Sequence, residues 1–216
     1  MQPAPRPLQR YAAFPLPVRW ALVFITLSIY FVMAPFGYAL FAILAALPTR
    51  QPERRARLLQ GIFRRAFRGM HAWLRALRLL DFDHRRVQGA LPEGACVIVA
   101  NHPTLTDVTS ITDAVGGVCT IVKPQLYNAW WIRPLLVAAG QVSGGTAQPE
   151  DVDRVLAAAE LQLRRGFRVL IFPENTRSPA GGLHSFGRGA FELACRARVP
   201  LVPIMVQADP AGLVKG

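Results

Sequence analysis

Beyond Asp81 the chain alternates short apolar runs with longer stretches in which apolar residues recur every three or four positions. Cys96 to Ala100, Val118 to Val122, Arg168 to Phe172 and Leu201 to Val206 have the length and the β-branched content of strands. Helical patterns lie between them, near Thr104 to Ala114, Leu126 to Ala138, Val152 to Gly166 and Arg188 to Arg196. Strand–helix alternation of this kind predicts an α/β fold, a mixed sheet flanked by helices, over residues 81–216. No internal repeat interrupts it.

The first third follows a different pattern. From Trp20 to Thr49 no side chain is charged at neutral pH, a run of 30 residues. As one helix it would extend ~45 Å, longer than the ~30 Å hydrocarbon core of a bilayer. Pro35-Phe36-Gly37 divides it into pieces each too short to cross. Residues 18–49 are therefore read as a membrane-embedded helical segment, either a tilted span kinked at the proline or a re-entrant hairpin. Arginines before it (Arg6, Arg10, Arg19) and after it (Arg50, Arg54, Arg55, Arg57) favour the hairpin, because positive flanks prefer one side, the cytoplasm. The length of the run and the lack of an A-x-A site argue against a cleaved signal peptide. Over residues 50–80, Leu59, Phe63, Met70, Trp73 and Leu77 form one stripe and Arg57, Arg64, Arg68 and Arg75 the opposite one. This is an amphipathic helix, read as lying in an anionic interface, with an ordinary domain helix as the alternative. Residues 1–17 form a basic, Pro/Arg-rich tail expected to be disordered.

Charge sharpens this picture. The chain of 216 residues carries a formal net charge of +12, but residues 1–80 hold 12 Lys+Arg against Glu53 alone, leaving the remainder nearly neutral. Basicity confined to the apolar third points to an anionic bilayer as partner and away from nucleic acid. The expected location is a membrane of the bacterial inner-membrane type, and by the same rule of positive flanks the following domain faces the cytoplasm. Cys96, Cys119 and Cys195 show no paired spacing, and the first two fall on predicted core strands, as small buried hydrophobes in a reducing compartment would.

The candidate chemistry is concentrated in two segments. In Asn101-His-Pro-Thr-Leu-Thr-Asp107 a histidine follows a buried strand and precedes a carboxylate by five positions. Pro103 ends the strand and a helix begins near Thr104, which places His102 on the connecting turn and Asp107 in the first helical turn, within reach of an imidazole nitrogen. An aspartate so placed fixes the tautomer, and the free nitrogen can take a proton from an alcohol. The same spacing is also an S/T-x-x-D capping box, which explains Asp107 without catalysis. The second segment, Phe172-Pro-Glu-Asn-Thr-Arg-Ser178, follows the strand ending at Phe172. Arg177 there is able to fork onto a phosphate or a carboxylate, or to pair locally with Glu174.

Together with Val199-Pro-Leu-Val-Pro-Ile204, these segments resemble the glycerolipid acyltransferase family typified by 1-acyl-glycerol-3-phosphate acyltransferase, in the family's order and over about residues 80 to 206. Two departures stand out. Asn175 occupies the place of the usual glycine in FPEGTRS, and asparagine is the next most tolerant residue of left-handed backbone. After Ala139-Gly-Gln-Val142, where the family has an arginine for the acceptor phosphate, this chain has Ser143-Gly144-Gly145.

The resemblance implies an O-acyltransferase. His102, oriented by Asp107, would deprotonate the hydroxyl of a lysophospholipid, by default lysophosphatidic acid giving phosphatidic acid, as it attacks the thioester of acyl-CoA or acyl-carrier protein. Glu174, Asn175, Thr176 and Arg177 are then expected to bind the acceptor, and Lys123, otherwise a strand-end surface lysine, to help stabilise the oxyanion. No cofactor is required, because the thioester supplies the driving force. No metal-type spacing joins His184 to His102, Asp107 and Glu174. The alternatives are another hydroxylated acceptor, a non-catalytic lipid-binding module, and a metal-dependent hydrolase using the same histidine.

Overall fold

A computed structural model describes residues 14–84, 87, 91–145, 148–179 and 182–208. All but the last four positions of the expected N-terminal tail lie outside these residues. Two long helices come first, α1 (Leu16–Ala46) and α2 (Pro52–Ala76). The remainder runs β1 (Val97–Ala100), α3 (Asp107–Val115), β2 (Val118–Val122), α4 (Pro124–Tyr127), α5 (Arg133–Ala138), β3 (Val142–Ser143), α6 (Pro149–Arg164), β4 (Arg168–Ile171), α7 (Gly189–Ala197) and β5 (Leu201–Ile204).

The strands form one sheet in the order β3-β2-β4-β1-β5. Every pairing is parallel, which corrects the expectation of a mixed sheet. Parallel strands are covered on both faces, and the alternation along β1 shows how. Val97 and Val99 face α6 and α7, packing with Leu156, Ala159, Leu163, Leu193 and Val169. Cys96, Ile98 and Ala100 face α3, packing with Ile111, Val115 and Leu170. Cys119, buried beside Gln60, has its thiol pushed up to about 12 by desolvation, so it packs as an apolar side chain. Four strands lie within two residues of their expected limits. The two-residue β3 is too short to carry a period, and the helix expected over 126–138 is divided into α4 and α5.

Two points arise in the N-terminal region. Residues 18–49 do not fold back at Pro35-Phe36-Gly37; α1 runs through Pro35 as one helix of 31 residues, ~46 Å long. The reversal comes later, between α1 and α2. Phe41 stacks on Phe63 at 4.8 Å between ring centroids, and Trp73 Nε1 donates to Thr26 Oγ1 at 3.2 Å, so the two helices run antiparallel.

The second point concerns α2, read as an interfacial helix with an ordinary domain helix as the alternative. It docks on the α/β domain through fully buried Leu59, through Gln60, whose Nε2 donates to Ala139 O at 2.9 Å, and through His71. A Cβ on Gly117 would lie 2.5 Å from Gln60 Oε1, so the α3–β2 turn needs glycine for this close approach. Arginines assigned to lipid instead reach protein: Arg57 donates to Arg165 O at 3.0 Å, and Arg68 pairs with Asp113 at 3.0 Å. In a third cluster Leu59 packs with Leu135, Ala138 and Ala139 of the α5 region and with Phe41 and Leu44 of α1, joining the helix pair to the domain.

Candidate active site

Because all strands are parallel, the turns after β1, β2, β3, β4 and β5 gather at one edge of the sheet, the edge where ligands bind in open α/β folds. β4 pairs with β1 in the register Val99↔Ile171. Counting three residues onward along each strand reaches His102 and Glu174, and this pairing makes neighbours of two motifs seventy residues apart in the chain.

His102 Nδ1 lies 2.7 Å from Asp107 Oδ2. A carboxylate only accepts, so Nδ1 carries a proton, and in the neutral imidazole it is Nε2 that holds the lone pair. The Asp107 side chain is 2% exposed and that of His102 22%, a buried carboxylate beneath an imidazole with one accessible edge. Asp107 also receives Thr104 N at 2.7 Å and the Thr104 hydroxyl. The expected capping box is not formed, because α3 begins only at Asp107 and its N-cap, Thr106, makes no side-chain cap bond; one carboxylate instead holds both the Thr104 turn and the imidazole, at the helix start where the dipole favours negative charge. Phe172 stacks on the imidazole at 4.3 Å and restricts its rotation.

Glu174 has a different role from the one expected of it. It is 5% exposed, and its Oε1 receives His102 N at 3.2 Å and Ser178 Oγ at 2.6 Å while Oε2 receives His184 N at 2.8 Å. Burial alone would raise its pKa; the hydrogen bonds from Ser178, His184 and His102 outweigh that and hold it below the ordinary carboxylate value. Ser178 N closes the clamp by donating to His102 O at 2.8 Å. Glu174 therefore fastens the β4 turn to the β1 turn, and its oxygens serve this chain. Asn175, at φ 57, adopts the left-handed backbone that the substitution for glycine demands. It is exposed, with Thr176 and Arg177 half-buried beside it.

Lys123 is exposed at the end of β2, on the same edge of the sheet. The exposed His184 is brought to this region by its backbone bond to Glu174. Among the described residues no group of three or more His, Cys, Asp or Glu side chains is arranged to hold a metal ion. Asn101, not singled out in the sequence, fastens the β1 turn to the end of β5: Nδ2 donates to Val206 O at 2.9 Å and Oδ1 receives Val206 N at 2.7 Å. Its side chain continues the strand ladder, a role no period can announce. A cleft of about 390 Å³ opens elsewhere on this edge, lined by Arg133, Ser143, Gly144, Gly145, Asp151 and Arg154 among others. It lies at β3, three strand spacings or ~14 Å from β1, and does not contain the His–Asp pair.

The same arrangement of segments recurs in known proteins. The chain is 32% identical over 147 residues to human 1-acyl-sn-glycerol-3-phosphate acyltransferase beta, covering 67% of this chain and 50% of that protein. It is 28% identical over 134 residues to the 1-acyl-sn-glycerol-3-phosphate acyltransferase of Pseudomonas aeruginosa, covering 61% and 52%. It thus spans about half the length of these curated relatives. In fold it is similar to the crystal structure of the 1-acyl-sn-glycerophosphate (LPA) acyltransferase PlsC from Thermotoga maritima, with a TM-score of 0.66 at 21% identity over 92% of this chain and 79% of that one. The model of the Acyltransferase family matches residues 84–207, which include every segment of the site described above. With more than half of its length matched, the chain belongs to the Acyltransferase family.

Proposed function

We propose that this protein is an O-acyltransferase that moves a fatty acyl group from acyl-CoA or acyl-carrier protein to the hydroxyl of a lysophospholipid, with lysophosphatidic acid as acceptor and phosphatidic acid as product. The names of its relatives support the reaction class, and one observation carries the mechanism: the 2.7 Å bond from His102 Nδ1 to a buried Asp107, at the ligand-binding edge of the sheet. In this reading His102 Nε2 removes the acceptor's hydroxyl proton as the oxygen attacks the thioester carbonyl. The tetrahedral oxyanion is stabilised by Lys123 and by backbone N–H groups near the start of α3. Collapse breaks the carbon–sulfur bond, the thiolate takes the proton from the imidazolium, and ester and thiol leave. Asp107 steadies the imidazolium throughout without accepting the proton.

Arg177 is the group proposed to bind the acceptor phosphate. It lies in the turn of β4, the strand beside β1, whereas Arg133 and Arg154 belong to the cleft ~14 Å away, farther than a glycerol backbone reaches from its hydroxyl to its phosphate. Membrane attachment is part of the same proposal. α1 is 31 residues long with a mean hydropathy of 2.0 in its most apolar window, and none of that window is buried against the protein. A helix apolar on all sides, touching protein at Thr26 and at Phe41, Leu44 and Ala45, is suited to lipid, where both substrates partition. The sheet domain is proposed to face the cytoplasmic side of a bacterial-type inner membrane, beside the arginines that follow α1.

The test is acylation by the full chain in detergent, with a panel of lysolipids and labelled acyl-CoA or acyl-carrier protein, beside His102→Ala. The proposal expects transfer to a lysophospholipid that His102→Ala abolishes while lipid association persists. Lipid binding with no transfer from either donor would favour a non-catalytic module, and activity lost to a chelator would favour the hydrolase.

A further inference from the structure

The α4–α5 corner presents apolar surface that the α/β domain leaves uncovered. Trp130 is 85% exposed, Trp131 45%, and Leu126 and Val137, on either side of them, 46% and 54%. Tryptophan is costly to leave in water and is not needed here for packing, since the inward side of this corner is filled by Ile132, Leu135 and Ala138. Those inward residues pack on Phe41, Leu44 and Ala45 near the end of α1. The exposed tryptophans therefore adjoin the last turns of α1, where Leu40, Ile43 and Leu47 are themselves more than half exposed. Two cations frame the corner: Lys123 just before α4 and Arg133 at the start of α5, both exposed. Apolar rings between basic residues, continuous with a helix apolar on all sides, match the boundary between acyl chains and anionic headgroups. α4 follows directly from β2, so this corner stands on the same edge of the sheet as His102.

We propose that the α4–α5 corner is a second lipid-docking element: Trp130 and Trp131 seat at the headgroup level of an anionic bilayer beside α1, and so hold the His102 edge of the sheet against the lipid surface. The proposal rests on the membrane reading of α1. A second copy of this chain, or a donor protein, would be a different occupant.

The chain has four tryptophans, Trp20, Trp73, Trp130 and Trp131, which allows each region to be read by fluorescence. Two full-length variants are reconstituted with vesicles of phosphatidylethanolamine and phosphatidylglycerol, brominated either near the headgroup or near the chain ends. One retains Trp20 (Trp73→Phe, Trp130→Phe, Trp131→Phe); the other retains Trp130 and Trp131 (Trp20→Phe, Trp73→Phe). Both should be quenched by brominated lipid, the Trp130/Trp131 pair about twofold more by bromine near the headgroup than near the chain ends, as for residues of an interfacial belt. If Trp20 is quenched and the pair stays open to aqueous acrylamide, this inference falls and the membrane reading stands. If neither is quenched, both fall. A pair shielded from acrylamide yet untouched by bromine is covered by protein, which also overturns the proposal. Should Trp73→Phe impair folding through loss of its bond to Thr26, the natural sequence is compared with Trp130→Ala/Trp131→Ala, and the double variant must lose the fraction of emission quenched from the headgroup region.

Discussion

His102 N donates to Glu174 Oε1 at 3.2 Å across two turns that belong to neighbouring parallel strands, each residue standing three positions beyond the register pair Val99↔Ile171. This bond binds the candidate base to the FPENTRS turn through backbone and leaves the imidazole, 22% exposed, outside the clamp. The two turns are thus as rigid as the β1–β4 pairing beneath them, which holds the His102 imidazole in one geometry.

A clamp and a ligand-binding carboxylate respond differently to mutation. Glu174→Ala leaves the Ser178 hydroxyl and His184 N without their acceptor, while His102 N keeps only Ser178 Oγ at 3.2 Å, at a cost of about 1–3 kcal/mol for each group that stays buried and unpaired. The melting temperature should fall markedly, and activity with it. A contact to the acceptor head group would instead raise the acceptor KM with the melting temperature unchanged, so calorimetry beside kinetics separates the two.

Asp107→Asn should retain one acceptor for Thr104 and keep the start of α3, yet lose the charge that opposes an imidazolium. The expected loss in kcat is on the order of 10²–10⁴, the usual worth of general-base catalysis, with little change in the acceptor KM. His102→Ala should cost at least as much while circular dichroism stays unchanged. A residual rate near that of the unaltered enzyme for either variant would remove His102 and Asp107 from the chemistry.

Asn175, at φ 57, offers a backbone test. Asn175→Gly should be neutral or slightly stabilising with activity retained, because glycine adopts this conformation without strain. Asn175→Val should destabilise by about 1–2 kcal/mol, since a β-branched side chain opposes left-handed backbone. Paired urea titrations measure both.

A second His–Asp pair joins α2 to α3, away from the sheet edge. His71 is buried, with Nδ1 3.0 Å from Asp113 Oδ2 and Nε2 3.2 Å from Thr109 Oγ1, and His84 Nε2 lies 3.0 Å from Ser110 Oγ. Desolvation lowers the pKa of His71 and of His84 below the ordinary 6.5, more than the attraction of Asp113 raises it. Below 6.5 the unfolded chain then binds more protons at these sites than the folded one. Their contribution to stability is complete above that pH and is lost as pH falls through the lower native values. Thermal unfolding followed from about pH 7.5 to about pH 5 should show a declining midpoint, and His71→Gln should flatten the decline. A midpoint level across this window would show that these histidines are not held neutral by burial.

The close approach of α2 gives one more test. Gly117→Ala places a methyl group against the Gln60 side chain, which is fixed by its bond to Ala139 O. Destabilisation of about 1–3 kcal/mol is expected, as for overpacking elsewhere in a core, and Gln60→Ala in the same chain should recover part of it. Strictly additive effects of the two changes would place the strain elsewhere.

What the sequence determined by itself was local. The strand runs, α3, α6 and α7, the left-handed tolerance of Asn175 and the reach of Asp107 to His102 each depend on residues within one turn or one short period, where hydrogen-bonding distance is set by backbone geometry. Tertiary structure decided what lies between distant segments. That β4 inserts beside β1 in a wholly parallel sheet, so that Glu174 becomes a clamp and Phe172 a platform for the imidazole, follows from how the whole set of strands and helices buries its apolar faces. The packing of α2 was likewise beyond a periodicity argument: an amphipathic stripe fits a lipid surface and a protein surface equally well, and only tertiary structure places Asp113 opposite Arg68 and the Ala139 carbonyl opposite Gln60. The passage of α1 through Pro35 has the same character, since a proline's missing hydrogen bond limits a helix locally while the contacts of α1 with α2 and α5, at Thr26 and at Phe41, Leu44 and Ala45, lie on both sides of it.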